Sequence, residues 1–196
     1  MFKVELKRNK KVYALKEMSK ALYDLFLLRI IAKKSVPSVM NEKKFLSSLK
    51  NDFLVNMIQS FQDREKLYLV MDYLPAGDLR YHICQGKKFT EEEAKFIIAC
   101  VFLGLEYLHS HSIIHRDIKP ENLVIDENGY VRITDLGISR QFRPNNASDT
   151  SGTPGYMAPE VLCRQNHTYS VDHFALGVIA YELMLRSRPY YGRSRR

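Results

Sequence analysis

The chain has 196 residues, of which 45% are hydrophobic and 27% charged, with a formal net charge of +8. That length buries a sizeable core as one domain or two small lobes, and the composition excludes fibrous, disordered and membrane-spanning classes. The positive charge gathers at Lys3, Lys7, Arg8, Lys10 and Lys11 and again at Arg186, Arg188, Arg193, Arg195 and Arg196; without interleaved aromatics this reads as a solvated surface, with no nucleic-acid partner expected.

Met1-Phe2-Lys3-Val4-Glu5 has no signal-peptide core, and no apolar run approaches the about 18 residues of a membrane span. Val12, Ala14 and Lys16 alternate with Tyr13, Leu15 and Glu17. This predicts a strand with Lys16 on a face of small apolar residues, where it either meets an anion or snorkels to the surface. Ser35-Val36-Pro37 is a helix start, and the helix is expected to run to about Leu49. Val39, Glu42, Leu46 and Leu49 share one stripe, with Phe45 beside them, so Glu42 is an acid on the face turned to the sheet of Lys16. Two strands follow, Met57 to Phe61 and Leu67 to Met71, joined by a polar turn.

Asp78 opens a short helix that ends near Gly86. Thr90-Glu91-Glu92-Glu93 is a capping box. Its helix is expected to reach about Ser110, with Phe96, Ile97, Cys100, Val101, Leu103 and Leu108 largely buried. Cys84, Cys100 and Cys163 are widely spaced, which fits reduced thiols in the cytoplasm better than a disulfide framework or a zinc site. Leu123-Val124-Ile125 and Tyr130 to Thr134 flank an Asn128-Gly129 turn, a hairpin signal. The hairpin brings Asp135 back beside Asn122, so that Asp117, Lys119, Asn122 and Asp135 share one pocket. Phosphoryl transfer needs such a set: a carboxylate for the hydroxyl, oxygen ligands for Mg²⁺ and a cation near the phosphoryl group. Gln141 to Ser151 is polar and expected to be flexible. The last apolar helix, Val171 to about Leu185, carries Asp172 near its start, where the helix dipole favours an acid.

His115-Arg116-Asp117-Ile118-Lys119-Pro120-Glu121-Asn122 resembles the catalytic loop of the protein kinases. Asp135-Leu136-Gly137 stands where that family has D-F-G, and Ala158-Pro159-Glu160 matches its A-P-E. One such motif is also explained by a solvated loop; three in order and spacing are specific. Tyr13-Ala14-Leu15-Lys16 resembles the family's V-A-I-K, and Asn41-Glu42-Lys43-Lys44 resembles a helix of its cyclic-nucleotide-dependent, or AGC, group.

The resemblance implies an α+β, bilobal protein-kinase fold. Residues 1–71 would form the β-rich small lobe, 72–77 the hinge and 78–196 the helical lobe. It implies a serine/threonine kinase that moves the γ-phosphoryl of ATP, with Mg²⁺, to a protein substrate. Asp117 is then the catalytic base, Lys119 the cation at the γ-phosphoryl, and Asn122 and Asp135 the holders of Mg²⁺. Lys16, fixed by Glu42, takes the α- and β-phosphates. Met71, Asp72 and Leu74 lie at the adenine, and Asp78 and Glu121 complete the nucleotide side. The serine/threonine assignment rests on Lys119 and Thr153. Arg116 would pair with a phosphorylated activation-loop residue, for which Ser148, Thr150 and Ser151 are candidates, while Asp149 occupies the usual phosphosite position. Asp172 resembles the buried acid that anchors the catalytic loop, and Leu136 is expected to pack with Leu46, Met57 and His115.

Three departures stand beside this likeness. The first glycine is Gly77, so no Gly-rich loop precedes Lys16. Leu22-Tyr23-Asp24-Leu25-Phe26-Leu27-Leu28 looks like an insertion. The family's first strand and last helices have no counterpart, so the chain is expected to be cut at both ends, with Glu160 short of its Arg partner. The alternative reading is a catalytically inactive fragment or pseudokinase that serves as a binding module.

Overall fold

The computed structural model describes residues 1–19, 42–86 and 88–190. Val39, the helix start at Ser35-Val36-Pro37 and the Leu22-to-Leu28 segment lie outside the described residues.

Strands β1 (Phe2–Glu5) and β2 (Val12–Ser19) form a hairpin, followed by helix α1 at residues 42–48, then β3 (Met57–Gln62) and β4 (Lys66–Asp72). The four strands make an antiparallel sheet of order β1-β2-β4-β3. β4 is central, and its alternation buries Leu67, Leu69 and Met71 on one side. Register pairs Lys16 with Leu69 and Ala14 with Met71. α1 closes that side of the sheet through Phe45, Leu46 and the following Leu49, all buried.

The remainder is mainly helical: α2 (Leu79–Cys84), α3 (Glu91–Ser110), β5 (Ile113–Ile114), a 3₁₀ turn (Pro120–Asn122), β6 (Leu123–Ile125), β7 (Val131–Ile133), β8 (Arg140–Gln141), α4 (Pro159–Leu162) and α5 (Ser170–Leu185). Asp78 caps α2 by accepting from the Tyr81 N–H, and both bonds of the Thr90–Glu93 capping box are made. α3 packs against α5: Ile97, Val101, Leu105 and Leu108 meet Ala175, Leu176, Ile179 and Leu183 in one core. Phe96 and Leu103 depart from the expectation, at 44% and 43% exposed. Ala94, Ile97, Val101, Leu105 and Leu108 form the buried stripe of α3, and Phe96 falls to its flank, against the ring of Tyr130.

The β6–β7 hairpin pairs Leu123 with Ile133 and Ile125 with Val131. Asp126 builds its loop by accepting from the N–H groups of Asn128 and Tyr130, and Gly129 takes the left-handed φ of +88° that closes it. The segment before β3 docks on this hairpin: Val55 N–H donates to the Ile133 carbonyl and Ile133 N–H to that of Phe53, both at 2.9 Å. Gly104 of α3 lies where a Cβ would stand 3.0 Å from the Phe53 carbonyl oxygen and closer still to Ile133, so only glycine admits that approach. Cys84, Cys100 and Cys163 are all free. Among the described residues no helix is long and apolar enough to cross a membrane.

Candidate active site

Catalytic-loop geometry begins with α5. Asp172, 1% exposed, accepts from the backbone N–H groups of His115 (2.9 Å) and Arg116 (2.8 Å), and its Oδ2 lies 2.9 Å from His109 Nε2. Those bonds hold Arg116 at a φ of +70°, a conformation a side chain resists unless its surroundings impose it. The buried His115 ring reaches the Thr134 carbonyl at 3.1 Å, tying the loop to the strand that leads into Asp135.

Asp117 is held on every side. Thr153 Oγ1 donates to its Oδ1 at 2.6 Å, Lys119 Nζ pairs with its Oδ2 at 2.8 Å, and Asn122 Nδ2 donates to Oδ2 at 3.1 Å. Lys119 also donates to Thr153 Oγ1 at 2.8 Å. Burial pushes the Asp117 carboxyl up, but the bonds from Lys119 and Thr153 and the charge of Lys119 outweigh it and hold the group below the usual carboxylate range. It is therefore ionised at neutral pH and placed to accept a proton.

On the sheet side, Lys16 Nζ bonds Glu42 Oε1 at 2.7 Å and reaches Asp135 Oδ1 at 3.5 Å. Three distant segments thus meet at one ammonium. Burial lowers the affinity of Lys16 for its proton, yet Glu42 and Asp135 together carry its pKa above the ordinary value. Leu136 is buried in the cluster that holds Leu46, with Met57 packed against it. Thr134 N–H donates to the Asn122 carbonyl at 3.0 Å, so the hairpin joins the two halves as its sequence predicts.

Metal donors are present without a dedicated cage. Asn122 Nδ2 is committed to the Asp117 carbonyl and carboxylate, which orients its own Oδ1 away from them. Asp135 has φ +64° and a side chain 46% exposed, with Oδ1 loosely shared by Lys16 and the Gly137 N–H at 3.4 Å. A carboxamide and a carboxylate oxygen fit a hard cation that completes its shell with water and phosphate. Among the described residues no group of three or more His, Cys, Asp or Glu could hold a metal ion.

Other residues singled out in the sequence fall in different places. Met71 is buried and Leu74 packs on the core. The Asp72 carboxylate is taken by Asn56 and Arg132, and that of Asp78 by its helix cap. Glu121 pairs with Arg80 Nε at 2.9 Å. Arg116 donates through Nε and Nη2 to the Ile138 carbonyl, and its buried Nη1 has no hydrogen-bond partner but faces Asp149 Oδ2 at 3.5 Å. Burial lowers the Arg116 pKa from its ordinary value. Ser148, Thr150 and Ser151 are exposed. Their segment is stapled at one point: Asn146, 5% exposed, exchanges bonds with the His167 backbone, and the N–H groups of Asn146 and Ala147 both donate to Asn166 Oδ1.

Sequence reasoning missed a second network. Arg80 bonds Glu121, Tyr156 and Glu182, with Nη1 to Glu182 Oε1 at 2.8 Å, and Tyr156 Oη donates to Glu182 Oε2 at 2.6 Å. The signal available was Glu182 itself, an acid among Val178, Ile179 and Leu183 that burial alone would not tolerate.

A model of the protein kinase domain matches residues 1–196. The chain belongs to the protein kinase family. It is 42% identical over 193 residues to human serine/threonine-protein kinase 32B, covering 95% of this chain and 45% of that protein. The cAMP-dependent protein kinase catalytic subunit of Dictyostelium discoideum is 38% identical over 192 residues, which is 96% of the chain and 28% of that protein. Rat ribosomal protein S6 kinase alpha-1 is 41% identical over 157 residues, 79% of the chain and 21% of that protein. The kinase chain thus spans less than half the length of these curated relatives, and it is AGC-like.

Proposed function

We propose that the chain is the catalytic core of a protein serine/threonine kinase, with 1–71 as the small lobe, 72–77 as the hinge and 78–196 as the helical lobe. The observation that carries this reading is the ionised Asp117 carboxylate gripped by Thr153 at 2.6 Å and Lys119 at 2.8 Å. Asp117 orients a serine or threonine hydroxyl and takes its proton as the oxygen attacks. Lys119 sets a positive charge beside the attacked phosphoryl, and Lys16, fixed by Glu42, positions the phosphates of ATP. Mg²⁺, held by Asn122 and Asp135, would neutralise charge on the nucleotide's phosphates. Adenine lies against Met71, Leu74 and the Asp72 backbone. The free cysteines suit a reducing compartment such as the cytoplasm.

The test is transfer by the full-length protein from γ-labelled ATP with and without divalent cation, followed by phosphoamino-acid analysis. Label on serine or threonine, dependent on the cation and lost in Asp135→Asn, is the expected result, because an amide is a poorer ligand for a hard cation than a carboxylate. Undiminished transfer by that variant, or label on tyrosine, overturns the reading.

A further inference from the structure

Beyond Asp117, the loop that holds it turns sharply. Tyr156 N–H donates to the Thr153 carbonyl at 3.1 Å, and Gly155 has a φ of +93°. Thr153-Pro154-Gly155-Tyr156 is therefore a turn with proline and then a left-handed glycine at its centre, the type II pattern. Its first residue bonds the base, so a polypeptide that brings a hydroxyl to Asp117 runs beside this turn.

Arg188 occupies the space that the missing Gly155 side chain leaves. Its Cζ stands 3.3 Å from where a Cβ would be, with Nη1 nearer, and the guanidinium lies over the Tyr156 ring at 5.7 Å from the centroid. The charge has no carboxylate of its own among the described residues. Glu182, the acid behind Tyr156, gives Oε1 to Arg80 and Oε2 to the Tyr156 hydroxyl, and Glu121 also serves Arg80. A half-buried guanidinium, seated by an aromatic face and without a carboxylate partner among the described residues, is a receptor for a planar anion.

We propose that Arg188 selects protein substrates with an anionic side chain, carboxylate or phosphate, close to the acceptor hydroxyl. The proposal rests on the kinase reading. Because Arg188 sits on the turn whose first residue bonds Asp117, a side chain flanking the acceptor passes the guanidinium, and the experiment scans which position it is. In the cluster beside it both carboxylates, Glu121 and Glu182, are engaged by Arg80, so neither forms an ion pair with Arg188 among the described residues.

The experiment uses the full-length protein and serine peptides of one sequence, in which each flanking position in turn is Asp, phosphoserine, Ala or Arg. At the best position kcat/KM for the anionic peptide should exceed that for Ala by about fivefold or more, and Arg188→Gln should bring the ratio near one. Arg188→Lys, which keeps charge without the planar fork, should retain part of the preference. A larger effect of phosphoserine than of Asp assigns the site to phosphate, and the reverse assigns it to carboxylate. No anion preference at any position, or one unchanged in Arg188→Gln, overturns the inference while transfer itself leaves the kinase reading intact. Peptide binding by fluorescence anisotropy separates the opposite case: an Arg188-dependent anion preference in binding without any transfer upholds the anion site and removes the kinase reading.

Discussion

The two halves of the site are held in different ways. The catalytic loop is fixed through its backbone: Asp172, 1% exposed, takes two N–H groups of the loop, and the Asp117 side chain is gripped by three neighbours. The sheet side is fixed through side-chain tips: the Lys16 side chain, 26% exposed, joins Glu42 on α1 to Asp135 beyond the hairpin, at 2.7 and 3.5 Å. Backbone bonds around a buried acid resist local change, because each broken one strands a desolvated group. A side-chain bridge among three separate segments yields more readily. On the proposed function the base is thereby built in advance, and the phosphate-binding side would be the adjustable partner.

Breaking the rigid half should show the largest effect. Asp172→Ala removes the acceptor for two buried N–H groups, and we expect it to cost roughly 3 kcal/mol of stability together with nearly all transfer. Chemical denaturation of the full-length variant measures this, and a loss within about 0.5 kcal/mol would place the rigidity elsewhere.

Breaking the adjustable half should separate function from stability. Lys16→Met strands Glu42, but burial already pushes that carboxyl up, so it takes a proton rather than remain charged. The expected stability change is about 1 kcal/mol, while transfer falls at least about tenfold through loss of phosphate positioning. A stability loss as large as that of Asp172→Ala would erase the contrast.

Acid titration sharpens the picture of Asp117. Its folded pKa lies below the ordinary 3.8, so the charged form and the stability it brings persist above 3.8 and fade as pH falls through the depressed value. Lys119→Met removes the chief opposing charge, so the acid limb of residual kcat/KM should move to higher pH. An unmoved limb would show that another group governs it.

The smallest effect concerns activation. Asp149 stands where the buried Arg116 Nη1 would meet a phosphate, and it carries less charge. Unphosphorylated full-length protein should keep partial activity, lowered about twofold to fivefold by Asp149→Ala. Equal rates would show that Asp149 is not the activating anion.

What the sequence revealed and what it hid follow the same division. Local patterns were legible: the Asn128-Gly129 hairpin, the Thr90 capping box, the alternation around Lys16 and the order of Asp117, Asn122 and Asp135 all depend on neighbours in the chain. The Arg80–Glu182 pair, the Asn146 staple to His167 and the seat of Arg188 on Tyr156 depend on which distant segments pack together, and no periodicity records that. Phe96 and Leu103 were misplaced for a related reason, since an apolar residue at the flank of a stripe is buried only if a neighbouring element covers it.

One kinetic comparison tests the central claim most directly, that Asp117 is a pre-positioned base rather than part of the nucleotide's seat. Asp117→Asn in the full-length protein should lower kcat at least about 100-fold, while ATP affinity stays within about twofold and far-ultraviolet circular dichroism stays that of the parent. A kcat at the parent level, with the fold intact, would contradict the account.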